Sequence, residues 1–356
     1  ATDANFQVQQ FSWPFTVNDM CTGFQSLPLF KALSPDCAPV PIWHAAASSA
    51  AEYLQPYLES CSSHGNLPTC WSGGVLTFLN KPGKSGRTPA ELRPIALLEP
   101  SGKMVMGLLA SSLLQSVSDR LFRLPQFAYL PGRGGEEAIS RVRQHCFNVR
   151  EFLYSLRFDI HRAAHSIPGP DVAGGLILSL DLTKAFDSVL RSKLFQALHS
   201  LGADPTIIAI LSQIYDQTTF SFWHTGQYRT LPTQRGIRQG CKAAPILWAC
   251  FCAWILETAA QTNDWDWIRE VVTAYADDFC LHCQITSSAD FHVAAAKSEA
   301  RFRLGKLQFI DLCAGAPHCF LDCNWNCWNG TVTRNDGELT SANYPRKPQV
   351  FRVKLY

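Results

Sequence analysis

Val271-Val-Thr-Ala-Tyr-Ala-Asp-Asp-Phe-Cys-Leu-His-Cys-Gln-Ile285 alternates apolar residues on both sides of a break at Ala276-Asp277-Asp278. Period-two alternation on two adjacent arms marks a β-hairpin, so the break puts two carboxylates at its tip. Taken alone, such a pair is an ordinary solvated turn, because Asp favours turns. A second acid in a similar setting changes that reading. Leu176-Ile-Leu-Ser-Leu-Asp181 is apolar on both faces and ends on a charge; a strand of this kind belongs to a covered sheet. If the two elements are neighbours in one sheet, three carboxylates meet. A carboxylate cluster suits a hard divalent cation such as Mg²⁺, which takes one or two carboxylates plus substrate phosphates. Between the two acidic elements lies a basic, glycine-bearing stretch, Gln234-Arg-Gly-Ile-Arg-Gln-Gly240.

The pattern extends outward from these segments. Residues 189–201 have a helical pattern stopped by Gly202, and Asp204-Pro205 reads as an N-cap followed by Pro at the first helical position. Residues 218–224 and 227–231 read as a hairpin around Thr225-Gly226, and 243–260 as a buried helix. Upstream, 74–79 and 92–98 read as short strands joined by Asn80-Lys-Pro-Gly-Lys-Ser-Gly-Arg87. A helix beginning at Ser101-Gly102 is expected to bury Val105, Leu108, Leu109, Leu113, Val117 and Leu121 at three- and four-residue spacing. The next helix carries Glu136 and Glu137 in its first turn, where acids are favoured. Its apolar face is expected at Ile139, Val142, Cys146, Val149 and Leu153, with Arg141, Arg143 and Arg150 solvated. A further helix is expected over 42–58.

Composition sets the limits. A chain of 356 residues with 47% hydrophobic and 17% charged residues buries a sizeable core, which excludes wholesale disorder. Thirty-one basic against 29 acidic residues give a net charge of +2, so a uniform basic coat is excluded while a local basic groove is not. The longest apolar run, 243–256, contains Pro245 and falls short of the ~20 residues needed to span a bilayer. An intracellular protein, nuclear or cytoplasmic and not transmembrane, is expected. The chain opens on Ala1 without a signal-peptide pattern, as a fragment or processed form would. Most of the fourteen cysteines are scattered, as reduced thiols inside a cell are. Cys319, Cys323 and Cys327, beside His318, lack the two-residue gap usual in zinc sites, so scattered thiols are the preferred reading there too.

Leu180-Asp-Leu-Thr-Lys-Ala-Phe-Asp187, Arg235-Gly-Ile-Arg-Gln-Gly-Cys241 and Ala274-Tyr-Ala-Asp-Asp-Phe279 resemble motifs A, B and C of reverse transcriptases. They are most similar to the non-LTR (LINE-type) retrotransposon enzymes. Phe78-Leu-Asn-Lys-Pro-Gly-Lys84, Leu92-Arg-Pro-Ile-Ala-Leu-Leu98 and Gln126-Phe-Ala-Tyr-Leu-Pro-Gly-Arg133 resemble the fingers motifs of the same family, in the same order. The resemblance covers about 70–290. It implies an α+β, right-hand polymerase fold without a thumb. Fingers would span about 71–170, and a palm with a mostly antiparallel sheet packed on helices about 171–300. An extension of unknown role would precede them (1–70), and a divergent Cys/Trp-containing tail would follow (301–356).

The same resemblance implies an RNA-directed DNA polymerase acting on an RNA template, a DNA primer and dNTPs, with Mg²⁺ or Mn²⁺ as cofactor. Asp181, Asp277 and Asp278 would be catalytic metal ligands, assisted by the carbonyl of Leu182. Phe186 would exclude a ribose 2′-hydroxyl by size. Gln239 and Gly240 would shape the nucleotide pocket. Lys81 and Arg93 would meet the triphosphate, the arginine as a fork and the lysine as a point charge. Tyr275 would flank the primer end, and Lys84, Lys103 and Arg133 would touch the nucleic-acid backbone.

Departures from the family pattern follow motif C. The expected Gly-Leu-x-Leu-Asn-x-x-Lys-Thr segment is replaced by Ala295-Ala-Lys-Ser-Glu-Ala-Arg-Phe-Arg-Leu-Gly-Lys306, and 307–356 reads as unrelated sequence, best accounted for by a misjoined reading frame. These departures keep an alternative open, an inactive or domesticated remnant that binds nucleic acid without catalysis. An RNA-templated RNA polymerase shares the acids but is disfavoured by Phe186 and the Gln239-Gly240 pair.

Overall fold

The computed structural model describes residues 10–34, 36–157, 160–167, 173–182, 184–260, 265–287, 289–290, 293–294, 325–327, 330–332, 339–340 and 351–355, without the side chains of 157, 162, 163, 180, 181 and those beyond 324. From the N-terminus, α1 (Val17–Gln25), α2 (Val40–Ala45) and α3 (Ala47–Ser63) precede β1 (Gly73–Asn80) and β2 (Leu92–Leu97). Next come α4 (Pro100–Leu121), α5 (Gly135–Arg157), α6 (Ile160–Ala164) and β3 (Gly174–Leu182). They lead to α7 (Ala185–Ser188), α8 (Arg191–Ser200), α9 (Pro205–Asp216), β4 (Thr219–His224) and β5 (Gln227–Pro232). Then follow α10 (Ala244–Ala260), α11 (Trp265–Val271), β6 (Val272–Tyr275) and β7 (Asp278–Ile285). Four short strands complete the order: β8 (Trp325–Cys327), β9 (Gly330–Val332), β10 (Leu339–Thr340) and β11 (Phe351–Leu355). The fold is mixed α+β, with sheets packed on helices. Among the described residues no helix is long and apolar enough to cross a membrane.

The chain divides into two compact units, and neither is a single contiguous segment. One comprises Ala1–Ser118 and Phe186–Phe251, the other Asp119–Ala185 and Cys252–Tyr356.

The first unit holds a four-stranded sheet in the order β2-β1-β4-β5. β1 pairs antiparallel with β2 and parallel with β4, and β4 pairs antiparallel with β5. The β4–β5 link is the two-residue turn read from the sequence. Thr225 and Gly226 have φ of 49° and 76°, the left-handed pair that matches strand twist in a tight hairpin. The N-terminal helices belong to this unit. Thr16 caps α1 in a reciprocal box: its hydroxyl accepts from the Asp19 N–H while its own N–H donates to the Asp19 carboxylate at 2.8 Å. α1 packs on α3. The single helix expected over 42–58 is in fact two, α2 and α3, because the backbone leaves helical geometry at Ala46 (φ −96°, ψ 12°). At α9 the expected cap is present, with the Thr206 N–H donating to Asp204 at 2.7 Å.

The second unit holds a sheet in the order β11-β3-β7-β6. β3/β7 and β6/β7 are antiparallel, and β11/β3 is parallel. Leu176, Ile177 and Leu178 on β3 are all buried, so both faces of this strand are covered, as its apolar run implied. α5 packs against β3, β6 and β7. Of its expected apolar face, Val149 is buried and Val142, Cys146 and Leu153 are partly buried, whereas Ile139 is 61% exposed; Ala138 is buried, and Arg141, expected in solvent, is partly buried. The stretch 351–355, read as part of an unrelated tail, forms an edge strand beside β3. Of the tail cysteines, Cys327 closes β8, while Cys319 and Cys323 lie outside the described residues.

Candidate active site

The acidic residues converge through strand register. β7 lies between β3 and β6, antiparallel to both, and Asp278 is its first residue. Asp278 stands directly opposite Asp181 on β3 and opposite Tyr275 on β6. Directly opposed residues in an antiparallel pair have Cα atoms ~4.5–5.5 Å apart. Asp277 precedes Asp278 in the connecting turn and is partly buried, while Asp278 is exposed. The backbone thus gathers Asp181, Asp277, Asp278 and Tyr275 at one end of one sheet. Leu182 follows Asp181 as the last residue of β3, with its side chain buried. Among the described residues no three His, Cys, Asp or Glu side chains form a metal-sized group; the Asp181 carboxylate is not one of the described side chains.

The turn that carries Asp277 is held from outside by a residue not singled out in the sequence. Ala276 has φ of 55°, a left-handed conformation that costs a non-glycine residue about 1 kcal/mol or more. Gln126, 2% exposed, clamps it. Its side-chain oxygen accepts from the Ala276 N–H at 3.2 Å and the Ala128 N–H at 3.0 Å, and its amide donates to the Ala276 carbonyl at 3.3 Å. On either side of Gln126 the backbone adds two bonds. Phe127 N–H donates to Ala274 O and Ala274 N–H to Pro125 O, both at 2.8 Å. The only sequence signal for this role was a polar residue opening a loop of aromatic and apolar residues.

Tyr129 also joins the acidic turn. Burial, and then the nearby Asp277 and Tyr275, hold its phenol above the ordinary range. Tyr275 is 43% exposed, and its ring lies 3.6 Å from where a Cβ on Gly135 would stand. Arg133, expected at the nucleic-acid backbone, turns instead into its own loop. Its guanidinium donates to the carbonyls of Leu124 (2.5 Å), Gln126 (2.9 Å) and Phe122 (2.5 Å), and stacks over the Phe122 and Phe127 rings. That geometry makes it a brace for the segment bearing Gln126.

The motif-B residues lie in the first unit, laid against β2. Gln239 O accepts from the Ala96 N–H at 2.9 Å, and its side-chain amide donates to Asp187 at 2.8 Å. Gly240 has φ of 96°, and a Cβ there would stand 2.5 Å from the Ala96 carbonyl oxygen. Only glycine allows so close an approach. Beneath the loop is a second residue missed in the sequence, Arg191. It is 8% exposed, and its guanidinium donates to the carbonyls of Tyr215, Thr233, Arg235 and Gly236 and to the Thr233 hydroxyl. A cation directly after Val189-Leu190 at a helix start was its signal. The loop, β1, β2 and β4 line a half-open cavity of about 240 Å³ whose wall includes Leu76, Pro94, Phe220, Asp187, Arg235 and Gln239. Phe186 stacks on the fully buried Trp248, with ring centroids 4.8 Å apart.

The expected phosphate-binding cations are dispersed over this unit. Lys81 and Lys84 are exposed in the β1–β2 loop, Lys81 Nζ donating to Ala90 O at 2.8 Å. Arg93 is exposed on β2 opposite Leu79. Lys103, on α4, is partly buried.

Residues 79–308 match the family model described as reverse transcriptase (RNA-dependent DNA polymerase). Among similar proteins, the "Probable RNA-directed DNA polymerase from transposon X-element" of Drosophila melanogaster is 32% identical over 217 residues, 60% of this chain and 21% of that one. The corresponding protein "from transposon BS" of the same organism is 24% identical over 271 residues, 75% of this chain and 28% of that one. The chain therefore spans about a quarter of the length of these relatives. An apo telomerase structure from Candida tropicalis aligns with 87% of this chain and 63% of its own at 12% identity and a TM-score of 0.44. The chain belongs to the reverse transcriptase family, among those of the non-LTR retrotransposons.

Proposed function

We propose that this chain is an RNA-directed DNA polymerase that extends a primer 3′-hydroxyl with deoxynucleotides on an RNA template. The observation that carries this reading is the β3–β7 register, which opposes Asp181 and Asp278 and leaves Asp277 in the adjoining turn. Three carboxylates at one sheet end are a hard, all-oxygen donor set, the kind that Mg²⁺ or Mn²⁺ takes together with substrate phosphates. Asp181, Asp277, Asp278 and the Leu182 carbonyl are the residues that would hold the metal. Held by these residues, such a metal would supply Lewis acidity toward the attacking hydroxyl and charge neutralisation for the transferred phosphoryl group and the departing pyrophosphate.

The protein's share of this chemistry is positioning. Gln126 fixes the turn that aims Asp277. Tyr275, opposite Asp278, flanks the primer end. Gln239 and Gly240 form the nucleotide-facing surface of the motif-B loop, which Arg191 keeps in shape. Phe186, backed by Trp248, walls the sugar pocket against a 2′-hydroxyl. Arg93 and Lys81 meet the triphosphate, and Lys84 and Lys103 meet the nucleic-acid backbone.

The test is primer extension on an RNA template with Mg²⁺ or Mn²⁺, comparing the native protein with Asp277→Ala. Extension by the native protein that the variant loses, with an unchanged unfolding midpoint, is the expected result. Equal extension by both rejects carboxylate-centred catalysis. Extension by neither, from folded protein, favours the non-catalytic nucleic-acid binder.

A further inference from the structure

Lys103 and Lys242 come from distant parts of the sequence and meet on one face of α4. Lys103 lies in the first turn of that helix, and Gly107 follows it at i+4 on the same face. The stem of Lys242 crosses this glycine: a Cβ on Gly107 would stand 3.1 Å from Lys242 Cδ and 3.5 Å from its Nζ. The N-terminal segment supplies the third side. Lys103 Nζ donates to Ala32 O at 3.3 Å, and Lys242 Nζ donates to the Ser26 hydroxyl at 3.2 Å. The Ser26 hydroxyl in turn donates to Gly23 O at 2.7 Å, so it serves as a tether for Lys242.

The electrostatics of this place are unbalanced. Among the described residues no carboxylate lies within 4.0 Å of either ammonium. Glu99, one turn before Lys103, directs its carboxylate to the start of α4, where it accepts from Ser101 Oγ and the Gly102 N–H. Both lysines are partly buried. Burial holds each below the ordinary lysine pKa; at Lys103 the nearby Cys37 and Glu99 oppose that lowering, and Lys242 adds to it. An ammonium has three donors; each of these spends one on a neutral oxygen and keeps two. Gathering two partly desolvated cations with only the more distant Glu99 carboxylate to offset them is costly for a fold, and an anion bound between them lowers the cost.

We propose that Lys103 and Lys242 form a phosphate-binding subsite, walled on one side by the N-terminal helical segment. A lysine pair recognises phosphate as point charge rather than as a fork, so the ligand chemistry is a phosphodiester of bound nucleic acid or a free phosphate. The site itself implies phosphate; only the choice of a nucleic-acid backbone as its source rests on the polymerase reading. It also gives residues 1–70 a part in binding that their sequence did not disclose.

The experiment uses the full chain with Lys103→Met, Lys242→Met and the double variant. A fluorescent single-stranded RNA is titrated at several KCl concentrations, and the unliganded proteins are melted with and without inorganic phosphate. The slope of log K against log salt is expected to fall by about 0.7 for each lysine removed, and Lys242→Arg, which keeps the charge, holds the native slope. Phosphate is expected to raise the native melting temperature but not that of the double variant. Without phosphate the variants should melt no lower than the native protein, because a partly buried cation with no carboxylate in contact has been removed. A phosphate effect with unchanged RNA slopes supports the subsite and assigns it to free phosphate. Unchanged slopes together with an unchanged phosphate response overturn the proposal. So does a lower melting temperature in every variant, which would mark the lysines as structural. Primer extension by the native protein is read separately and stands or falls on Asp277.

Discussion

Gln126 shows how an uncharged side chain reaches the candidate chemistry. It touches neither substrate nor any of the three acids, yet two of its three bonds hold Ala276 left-handed, the third fixing it to Ala128, and so set the direction in which the chain enters Asp277 and Asp278. Gln126→Leu keeps the volume and removes the bonds. Two backbone N–H groups then lose their acceptor, and each unsatisfied group costs about 1–3 kcal/mol. The acidic turn should relax towards ordinary geometry. The expected outcome is a lower urea midpoint, with kcat for primer extension reduced at least ~10-fold and KM for dNTP little changed, because the motif-B loop is untouched. A variant that loses stability but keeps kcat would separate Gln126 from the acids. Arg191 plays the equivalent part under motif B through five donated bonds. Neither residue was legible beforehand. Their partners are mostly backbone carbonyls and N–H groups distant in sequence, and side-chain patterning does not reveal those.

Elements were legible wherever one period dominated. The hairpin at 271–285, the buried strand β3 and the capped helix α9 all follow from local alternation or from a cap whose bond is now visible. α5 shows where this fails. Its covered face runs through Ala138, Val142, Cys146, Val149 and Leu153 and also takes in Arg141 and His145, while Ile139, placed there by hydrophobicity alone, is exposed. Arg141 is tolerated there because its guanidinium lies over the Phe127 ring, 6.0 Å from the centroid. The motif-B loop is an element defined by one glycine. Gly240→Ala forces a Cβ to 2.5 Å from the Ala96 carbonyl and requires φ near 96°. The loop must lift off β2, breaking the Ala96–Gln239 bond. A loss of about 2–3 kcal/mol in urea unfolding is expected, together with a raised KM for dNTP. By contrast, Gly226→Asn should be nearly neutral, since the turn has open space around it and Asn tolerates its left-handed φ. Equal effects at the two glycines would mean that close packing on β2 is not what Gly240 provides.

At the scale of the whole molecule, stability should carry an acid-sensitive component. His282 on β7, 6% exposed, accepts or donates a bond of 2.9 Å between Nε2 and the Thr273 hydroxyl on β6. The His145 ring from α5 lies 5.0 Å from it, and His145 Nε2 is buried without a hydrogen-bond partner among the described residues. Arg141 from α5 adds positive charge to the same face. Burial lowers His145 to about 4. Burial first, then His145 and Arg141, lowers His282 to about 3. Both rings are therefore neutral in the folded state at pH values where the unfolded chain, with histidines near 6.5, binds protons. Stability rises with pH wherever the unfolded state binds more protons. Their contribution is complete above about pH 6.5 and is lost as pH falls from there towards 4 and below. Urea midpoints measured from pH 7.5 to pH 4 should decline through this window, and the decline should be shallower in His145→Gln and His282→Asn, each of which removes one titrating ring while keeping a polar side chain of similar size. The formal charge of +2 gives no hint of this dependence, because it arises from two groups that carry no charge in the folded protein at neutral pH. A profile equally steep in both variants would place the acid sensitivity in the carboxylates instead.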